Sequence, residues 1–409
     1  MADYFQATDT LYSITKRYPE TIAVFVSNGF PHMGDVDQRE SFGRMISLDV
    51  ALSTKKLNLQ TFTSLLNQVI SAERSNVDAT LKKAGERKKG GLNVVGLLPC
   101  PVRIPLLEQY QRFTAESGLD NINTELKAAS VGNQWVADNL EGISEPEKLP
   151  DLFLSAGFDL FFDLNKIGRF RDQGVFSDLV KYSAENPLFS GRHLQDPSGN
   201  YSLISVVPAV FLVNTAELGT RAMPRSWEAL LKPEWEESVS LPVGDFDLFN
   251  AILLNIDERY GEAGVKKLGR SMLQAMHPAQ MIKSNRLKQK RPAITIMPYF
   301  FTKTAKEGGP MEAVWPEDGA IISPIFMLAK KARAKELQPI VDFFASKEVG
   351  ETFSHQGLFP SLHPEVDNNL PDDAPMMWLG WDHVLNRDLS ADIGRCEEQF
   401  NKAVRGGGK

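Results

Sequence analysis

A long apolar run over residues 201–213 is rich in β-branched and aromatic side chains. Such a run predicts a strand that is covered on both faces. Pro208 lies inside it and has no backbone N–H, so we expect the strand to be interrupted within 205–209. A second strand is predicted over 238–241, after two short helical segments. We interpret the segment 205–209 as a hinge at which the chain passes from one lobe to another.

From residue 92 onward, apolar runs of strand length alternate with segments of helical periodicity. This alternation predicts an α/β fold with mostly parallel sheets and crossover helices. The predicted strands lie within 92–99, 122–129, 151–159, 238–245, 293–299 and 319–331. The predicted helices lie within 103–118, 134–140, 246–261, 300–309 and 335–357.

The first part of the chain shows helical patterning only. Residues 58–70 place Phe62, Leu66 and Val69 on one helical face. We therefore predict a small all-α domain over residues 1–75, followed by a charged helical linker over 76–91. The lysines and arginines of that linker suit the negative end of a helix dipole, although a basic run can also contact nucleic acid or a membrane surface.

Charge and composition limit the possible partners. The 409 residues carry a net charge of −7, with 42% hydrophobic residues and only Cys100 and Cys396 as cysteines. This composition is typical of a soluble globular protein and argues against a nucleic-acid partner. No apolar run is long enough to span a bilayer, so we expect no direct membrane insertion. The first residues show no basic and apolar signal pattern, which predicts a cytoplasmic protein, or a periplasmic one if a signal has been removed.

The sequence lacks the motifs of the common catalytic and cofactor sites. It contains no GxxxxGK, GxGxxG or GxSxG pattern, and its six histidines do not have metal-ligand spacing. No pair of acid and base residues stands at a convincing spacing. We therefore predict no catalytic residue, no metal ligand and no cofactor.

Five segments, in their order along the chain, carry a family resemblance. They are VVPAVFLVNTAEL (206–218), PRSWEALLKPEWEESVSLP (224–242), TIMPYFF (295–301), WPEDGAIISPIFMLAKKA (315–332) and ELQPIVDFFASKEVGETFSHQGLFPSL (336–362). Over residues 92–370 the chain resembles the type II substrate-binding proteins of ABC transporters, which include ferric-ion, polyamine, thiamine and phosphorylated-sugar binders. The resemblance implies a two-lobed fold with two crossings, lobe one at 92–204 plus 321–409 and lobe two at 205–320.

The N-terminal segments YPETIAVFVSNGF (18–30) and NLQTFTSLLNQVI (58–70) resemble a small helical domain of unknown function, found alone or fused to redox proteins. Members of that family usually carry cysteines just after the glycine–hydrophobic step. Residues 29–34 contain none here. The resemblance therefore implies a docking or interaction domain, without a thiol-based redox role.

In the implied fold, a ligand lies beyond the carboxyl ends of the strands, where helix N-termini present free N–H groups. Arg103 can then hold an anionic group or form a surface ion pair. Cys100 stands at the same place, but a lone cysteine between two prolines is more typical of a small buried thiol. Asp245 can cap a helix or hold a cation. Tyr299 stands without a neighbouring tyrosine, which disfavours ferric iron, and Trp315 is expected near the cleft. The predicted ligand-binding residues are Cys100, Arg103, Ser155, Gly157, Ser205, Asp245, Phe246, Tyr299 and Ser323.

The resemblance implies a solute-binding protein that closes its lobes on a small, anionic organic ligand and works with an ABC permease. A cytosolic ligand sensor or adaptor is the alternative, in which the helical domain docks on an intracellular protein. An enzyme is the third hypothesis, because two-lobed folds of this kind also occur in enzymes.

Overall fold

The computed structural model describes residues 4–27, 36–55, 90–128, 143–155, 160–243, 246–275, 291–304, 308–371 and 373–406, with the single positions 30, 33, 59, 62, 63, 66, 67, 70 and 140. The chain divides into two compact units, Met1–Arg87 and Lys88–Lys409. Most of the predicted linker lies outside the described residues. In the described ranges, no helix combines the length and the apolar character needed to cross a membrane.

The first unit is helical, as predicted. Its described helices are α1 (Leu11–Arg17), α2 (Thr21–Ser27), α3 (Val36–Met45) and α4 (Leu48–Thr54). Thr10 caps α1 by accepting a hydrogen bond from the backbone N–H of Ser13 at 3.2 Å. The rings of Phe25, Phe30 and Phe62 meet at centroid distances of 5.4–6.1 Å. This aromatic cluster gives a small bundle a core of its own.

The second unit contains one hydrogen-bonded sheet with helices packed on it. Its strands are β1 (Leu92–Leu98), β2 (Ile122–Ala128), β3 (Leu152–Ser155), β4 (Phe176–Ser177), β5 (Tyr201–Asn214), β6 (Val239–Leu241), β7 (Met272–Ala275), β8 (Ile294–Pro298), β9 (Met311–Val314), β10 (Ala320–Lys330) and β11 (Met376–Met377). Its α-helices are α5 (Arg103–Glu116), α6 (Trp227–Leu230), α7 (Phe246–Ser271), α8 (Ala334–Phe344), α9 (Lys347–Glu351), α10 (Trp381–Asn386) and α11 (Leu389–Gly406).

The strand order is β2-β1-β3-β10-β5-β8-β6-β7, with β4 and β11 on β10 and β9 on β5. The strands β1, β2 and β3 are parallel to one another, as are β6, β7 and β8. The long strands β5 and β10 run antiparallel between these two groups. The sheet therefore forms two lobes that share β5 and β10, and the predicted α/β fold with a preceding helical unit is confirmed.

The crossing between the lobes lies in the middle of β5 and β10. Val206 pairs with Pro324 and Ala209 pairs with Ile321, so the two crossing segments are neighbouring strands. β5 continues through Pro208, contrary to the expected interruption. The proline falls between a bridge from Ser205 to the C-terminal half of the chain and the start of β8 pairing at Ala209. It is tolerated because β5 changes its neighbour on that edge at this point.

The last helices differ from the expected extent of lobe one. α11 packs against α7, the crossover helix between β6 and β7 in lobe two, and not on the lobe-one sheet. α7 itself extends ten residues beyond the predicted end at residue 261. Gly261 interrupts it with φ of 64°, a positive value that glycine adopts without strain, so the helix is kinked at this residue.

Candidate functional site

The carboxyl ends of the two groups of parallel strands face each other across the crossing. β3 ends at Ser155, which pairs with Phe326 of β10, and Phe326 pairs with Leu203 of β5. β8 runs in the opposite direction and ends at Pro298, which pairs with Ala209 of β5. Leu203 and Ala209 are six positions apart along β5, a span of about 20 Å at ~3.3 Å per residue. The strand ends of both lobes therefore border one cleft above the crossing strands.

Arg103 lies at the lobe-one edge of this cleft. The chain leaves β1, forms the short turn Cys100–Val102, and begins α5 at Arg103. The first turn of α5 contains no acidic residue, and the Arg103 side chain is only 4% exposed. The positive end of a 14-residue helix and a buried guanidinium thus occur together at the carboxyl end of the sheet. This is an environment that favours an anionic group.

Two buried serines lie near the crossing, one at the end of β3 and one within β10. Ser155, at the end of β3, is fully buried, and Ser323, within β10, is 2% exposed. Neither hydroxyl makes a hydrogen bond to any residue that the structure describes. Ser323 is three residues from the Phe326 that pairs with Ser155, about 10 Å along the strand. A buried hydroxyl without a partner costs about 1–3 kcal/mol, which a polar ligand atom would offset.

Ser205 has an internal role in addition to its position at the crossing. It pairs with Ile325 of β10, so the structure brings it between the other two serines. Its hydroxyl donates to the carbonyl oxygens of Phe359 and Pro360, both at 3.0 Å. The N–H of Val206 also donates to the Pro360 carbonyl at 3.0 Å. These bonds attach the loop that contains Phe359 and Pro360 to β5. The Ser205 hydroxyl hydrogen is therefore already used within the protein.

The lobe-two side of the cleft is aromatic. Tyr299 begins the 3₁₀ turn Tyr299–Thr304 directly after β8, where a longer helix was expected. Its ring meets Trp315 edge to face at 5.2 Å, and burial raises the pKa of the Tyr299 hydroxyl. The Trp315 indole donates to the carbonyl of Pro375 at 2.7 Å. Trp315 therefore lies next to a predicted site residue.

Sequence reasoning missed one contact between the lobes. The ring of Phe300, on the lobe-two turn, lies 6.4 Å from the ring of Phe359 and packs on the lobe-one core that contains Val102. A Cβ on Gly357 would approach Val102 and Phe359 within 2.7 Å, so this loop lies directly against the start of α5. The Phe300-Phe301 doublet was the only signal in the sequence, and it did not indicate a partner so distant along the chain.

Part of the predicted site lies outside the described residues. Gly157 and Asp245 are not described, and neither are the side chains of Cys100 and Phe246. Of the remaining predicted residues, Ser155, Ser205, Tyr299 and Ser323 lie in or beside the crossing strands, and Arg103 lies at the carboxyl end of β1. Their role in binding stays a prediction. Within the described ranges, no group of three His, Cys, Asp or Glu side chains is arranged to hold a metal ion.

The fold is similar to solved structures of binding proteins. One is the periplasmic binding protein AfuA from Actinobacillus pleuropneumoniae with exogenous fructose-6-phosphate bound (TM-score 0.54, 15% identity, 78% of this chain and 99% of that one). A second is the substrate-binding protein of an ABC transporter from Agrobacterium tumefaciens (TM-score 0.56, 16% identity, 80% and 96%). A third is a ferric binding protein from Campylobacter jejuni (TM-score 0.52, 15% identity, 76% and 99%). At these identities the similarity shows the fold alone.

Family models describe both units. Residues 6–63 match a domain of unknown function (DUF1858), and residues 147–387 match the bacterial extracellular solute-binding protein family. No curated protein matches the chain. Proteins of the second family bind small solutes for ABC permeases and are not enzymes. Because that match covers more than half of the chain and agrees with the two-lobed fold, the chain belongs to the bacterial extracellular solute-binding proteins.

Proposed function

We propose that the chain captures a small anionic organic solute between its lobes and holds it by hinge closure. The observation that carries this proposal is the buried Arg103 in the first turn of α5, at the edge of the cleft. A guanidinium can form two parallel hydrogen bonds to a carboxylate or a phosphate. Inside a closed cleft, with little water, such bonds are stronger than at a surface.

The other predicted residues of the cleft support an organic rather than a purely inorganic solute. Ser155 and Ser323 supply buried hydroxyls that suit the hydroxyl or carbonyl groups of a solute. Tyr299 and Trp315 supply an apolar wall on the opposite lobe. One charged anchor, a few polar groups and an aromatic wall are typical of small-molecule sites. The anionic solute seen with AfuA, fructose-6-phosphate, belongs to the class that such a site fits.

Closure follows from contacts that exist only when the lobes meet. A solute that touches groups of both lobes binds the closed form more tightly and shifts the population toward it. The β5–β10 pair acts as the hinge, since it is the part of the sheet common to both lobes. Phe300 against Phe359 adds an apolar contact between the lobes.

A thermal-shift screen with hexose phosphates, dicarboxylates, polyamines and inorganic oxyanions tests the ligand class. We expect an organic anion to raise the melting temperature. At a hundredfold excess over Kd, binding adds about 2.7 kcal/mol to the free energy of unfolding. A hit confined to polyamines would contradict the anionic assignment. The absence of any shift across the panel would count against simple solute capture.

Arg103→Gln sharpens the test, because it removes the charge while keeping a polar side chain. We expect it to lose the solute-induced shift and to weaken binding by at least tenfold in isothermal titration. Arg112→Gln is the matched control, since Arg112 lies on the same helix, is exposed, and pairs with Glu348 at 3.0 Å. Equal affinities for the two variants would remove Arg103 from the site.

A further inference from the structure

The C-terminal residues 381–406, which form α10 and α11, contact both lobes. α10 lies against lobe one, where the Trp381 ring is 5.8 Å from Tyr201 and 6.3 Å from Phe162. The Trp381 indole donates to the carbonyl of Leu194 at 3.0 Å, inside the core. Arg171, also of lobe one and buried, donates to the carbonyl of Leu385 at 3.1 Å. These contacts anchor α10 on lobe one.

α11 lies against α7 of lobe two. Phe400 meets Phe249 edge to face at 5.2 Å. Gly269 approaches so closely that a Cβ there would lie 2.7 Å from the Phe400 carbonyl oxygen. Arg395 forms two hydrogen bonds to Asp257, at 2.7 and 3.2 Å. These contacts anchor α11 on lobe two.

Only residues 387 and 388 join the two helices. Two residues extend by at most about 7 Å. Both are already engaged, since Arg387 binds Glu258 of α7 at 3.4 Å and Asp388 accepts the Ala391 N–H at 3.1 Å. His383 of α10 also reaches Glu258, at 2.9 Å. The connection between α10 and α11, which we call the joint, can therefore lengthen only slightly.

We propose that residues 381–406 form a C-terminal strap that limits how far the two lobes separate. The hydrophobic core supports this role, because one cluster runs from Tyr201 in lobe one through Trp381 and Phe400 to Phe249 in lobe two. Separation of the lobes at this side stretches the joint or detaches one helix. This inference depends on the proposed function in one respect, which is that the two lobes rotate relative to each other. The strap acts whether or not a solute is bound.

A strap acts through the length of its joint, whereas packing alone does not. The test inserts Gly-Ser segments of about 4 and about 10 residues between Arg387 and Asp388, which keeps both helices intact. The distance between the lobes is measured with two spin labels, each attached to a genetically encoded non-canonical amino acid. The labels replace Ser117 of lobe one and Lys232 of lobe two, which are both exposed. The same inserts between Gly219 and Thr220, an exposed turn within lobe two, are the control.

In the ligand-free protein we expect the distance distribution to broaden and lengthen with insert length at the joint, and to stay unchanged for the control inserts. A distribution that does not depend on joint length would overturn the strap. If the inserts impair folding, Gly269→Ala against Gly394→Ala gives a second measurement, because only the former displaces α11. Equal distributions for that pair would also count against it. Since no solute is involved, a failed ligand screen and a failed strap are separate outcomes.

Discussion

The two halves of the C-terminal strap hold their lobes by different physical means. α10 is held by an aromatic core around Trp381 and by hydrogen bonds from buried donors to its backbone. α11 is held by close helix packing at Gly269 and by ion pairs at the protein surface, where the Arg395 side chain is 39% exposed. Apolar contacts carry no charge that salt can screen or acid can neutralise, whereas ion pairs at a surface are weakened by both. The lobe-two anchor is therefore the adjustable one.

The native cysteine of α11 reports on this difference. Burial raises the pKa of the Cys396 thiol to about 12, and the nearby Asp257 carboxylate adds to the effect. At neutral pH the thiol is therefore protonated and shielded, so it reacts only when α11 moves away from α7. The rate of its alkylation, located by peptide mapping, measures the release of the lobe-two anchor.

The largest expected effect comes from the lobe-one anchor. Trp381→Ala removes the indole from the aromatic core and leaves the Leu194 carbonyl without its donor. Truncation of a buried tryptophan costs about 3–5 kcal/mol. We expect a matching loss in denaturant-induced unfolding, with little change in Cys396 alkylation under native conditions. Trp378→Ala is the comparison, because Trp378 is less buried and neighbours the same ring at 5.9 Å. A smaller loss for Trp381→Ala than for Trp378→Ala would contradict the assignment of the anchor.

A smaller effect is expected where α11 packs on α7. Gly269→Val forces a side chain against the backbone of Phe400 and should cost about 1–3 kcal/mol. We expect Cys396 alkylation to accelerate at least tenfold. Gly394→Ala, on the open face of α11, has no atom within 4 Å and should instead stabilise the helix by up to about 1 kcal/mol. Equal alkylation rates in both variants would show that the close approach does not hold the helix.

Loss of the ion pairs should have a weaker effect that depends on salt. Arg395→Gln removes two bonds to Asp257 and one to Asp392, and we expect a loss of about 1 kcal/mol at low ionic strength. The difference from the native chain should shrink as salt is raised through about 0.5 M, because screening weakens the native pairs. Lys402→Gln, which removes an exposed pair to Glu398 on the same helix, is the control. A difference that is constant with salt would mean that packing, and not charge, is what Arg395 supplies.

The smallest expected effect is the response to acid in the first turn of α11. Burial raises the pKa of Asp392, but hydrogen bonds from Arg395 and Arg387 outweigh it and lower the pKa below the ordinary 3.8. The ionised carboxylate therefore contributes stability that is present above pH 3.8 and is lost as the pH falls through the lower folded value. We expect the difference in unfolding free energy between the native chain and Asp392→Asn to shrink as the pH falls below 3.8. A difference that grew on acidification would reverse this sign.

Much of the fold was predictable because it depends on local pattern. The apolar strands and the turns after them predicted the α/β class, and Asn214 ends β5 where the apolar run ends. The continuity of β5 through Pro208 was not predictable, since it depends on which neighbours pair with each edge. For the candidate site, the positions of residues along the strands were predictable, but their contacts with distant segments were not. Arg103 and Ser155 follow strands, but the Ser205 contacts depend on a loop more than 150 residues away.

By itself, the sequence determined the fold class. It showed strands followed by helix N-termini, two crossings near Ser205 and Ser323, and a separate helical unit ahead of them. These features are local, and their periodicity and turn residues appear directly in the chain. Only the tertiary structure decided that Phe300 meets Phe359 and that residues 381–406 join lobe one to lobe two. Such pairings arise when distant segments bury their faces together, and an amphipathic helix shows that it needs a partner without showing which one.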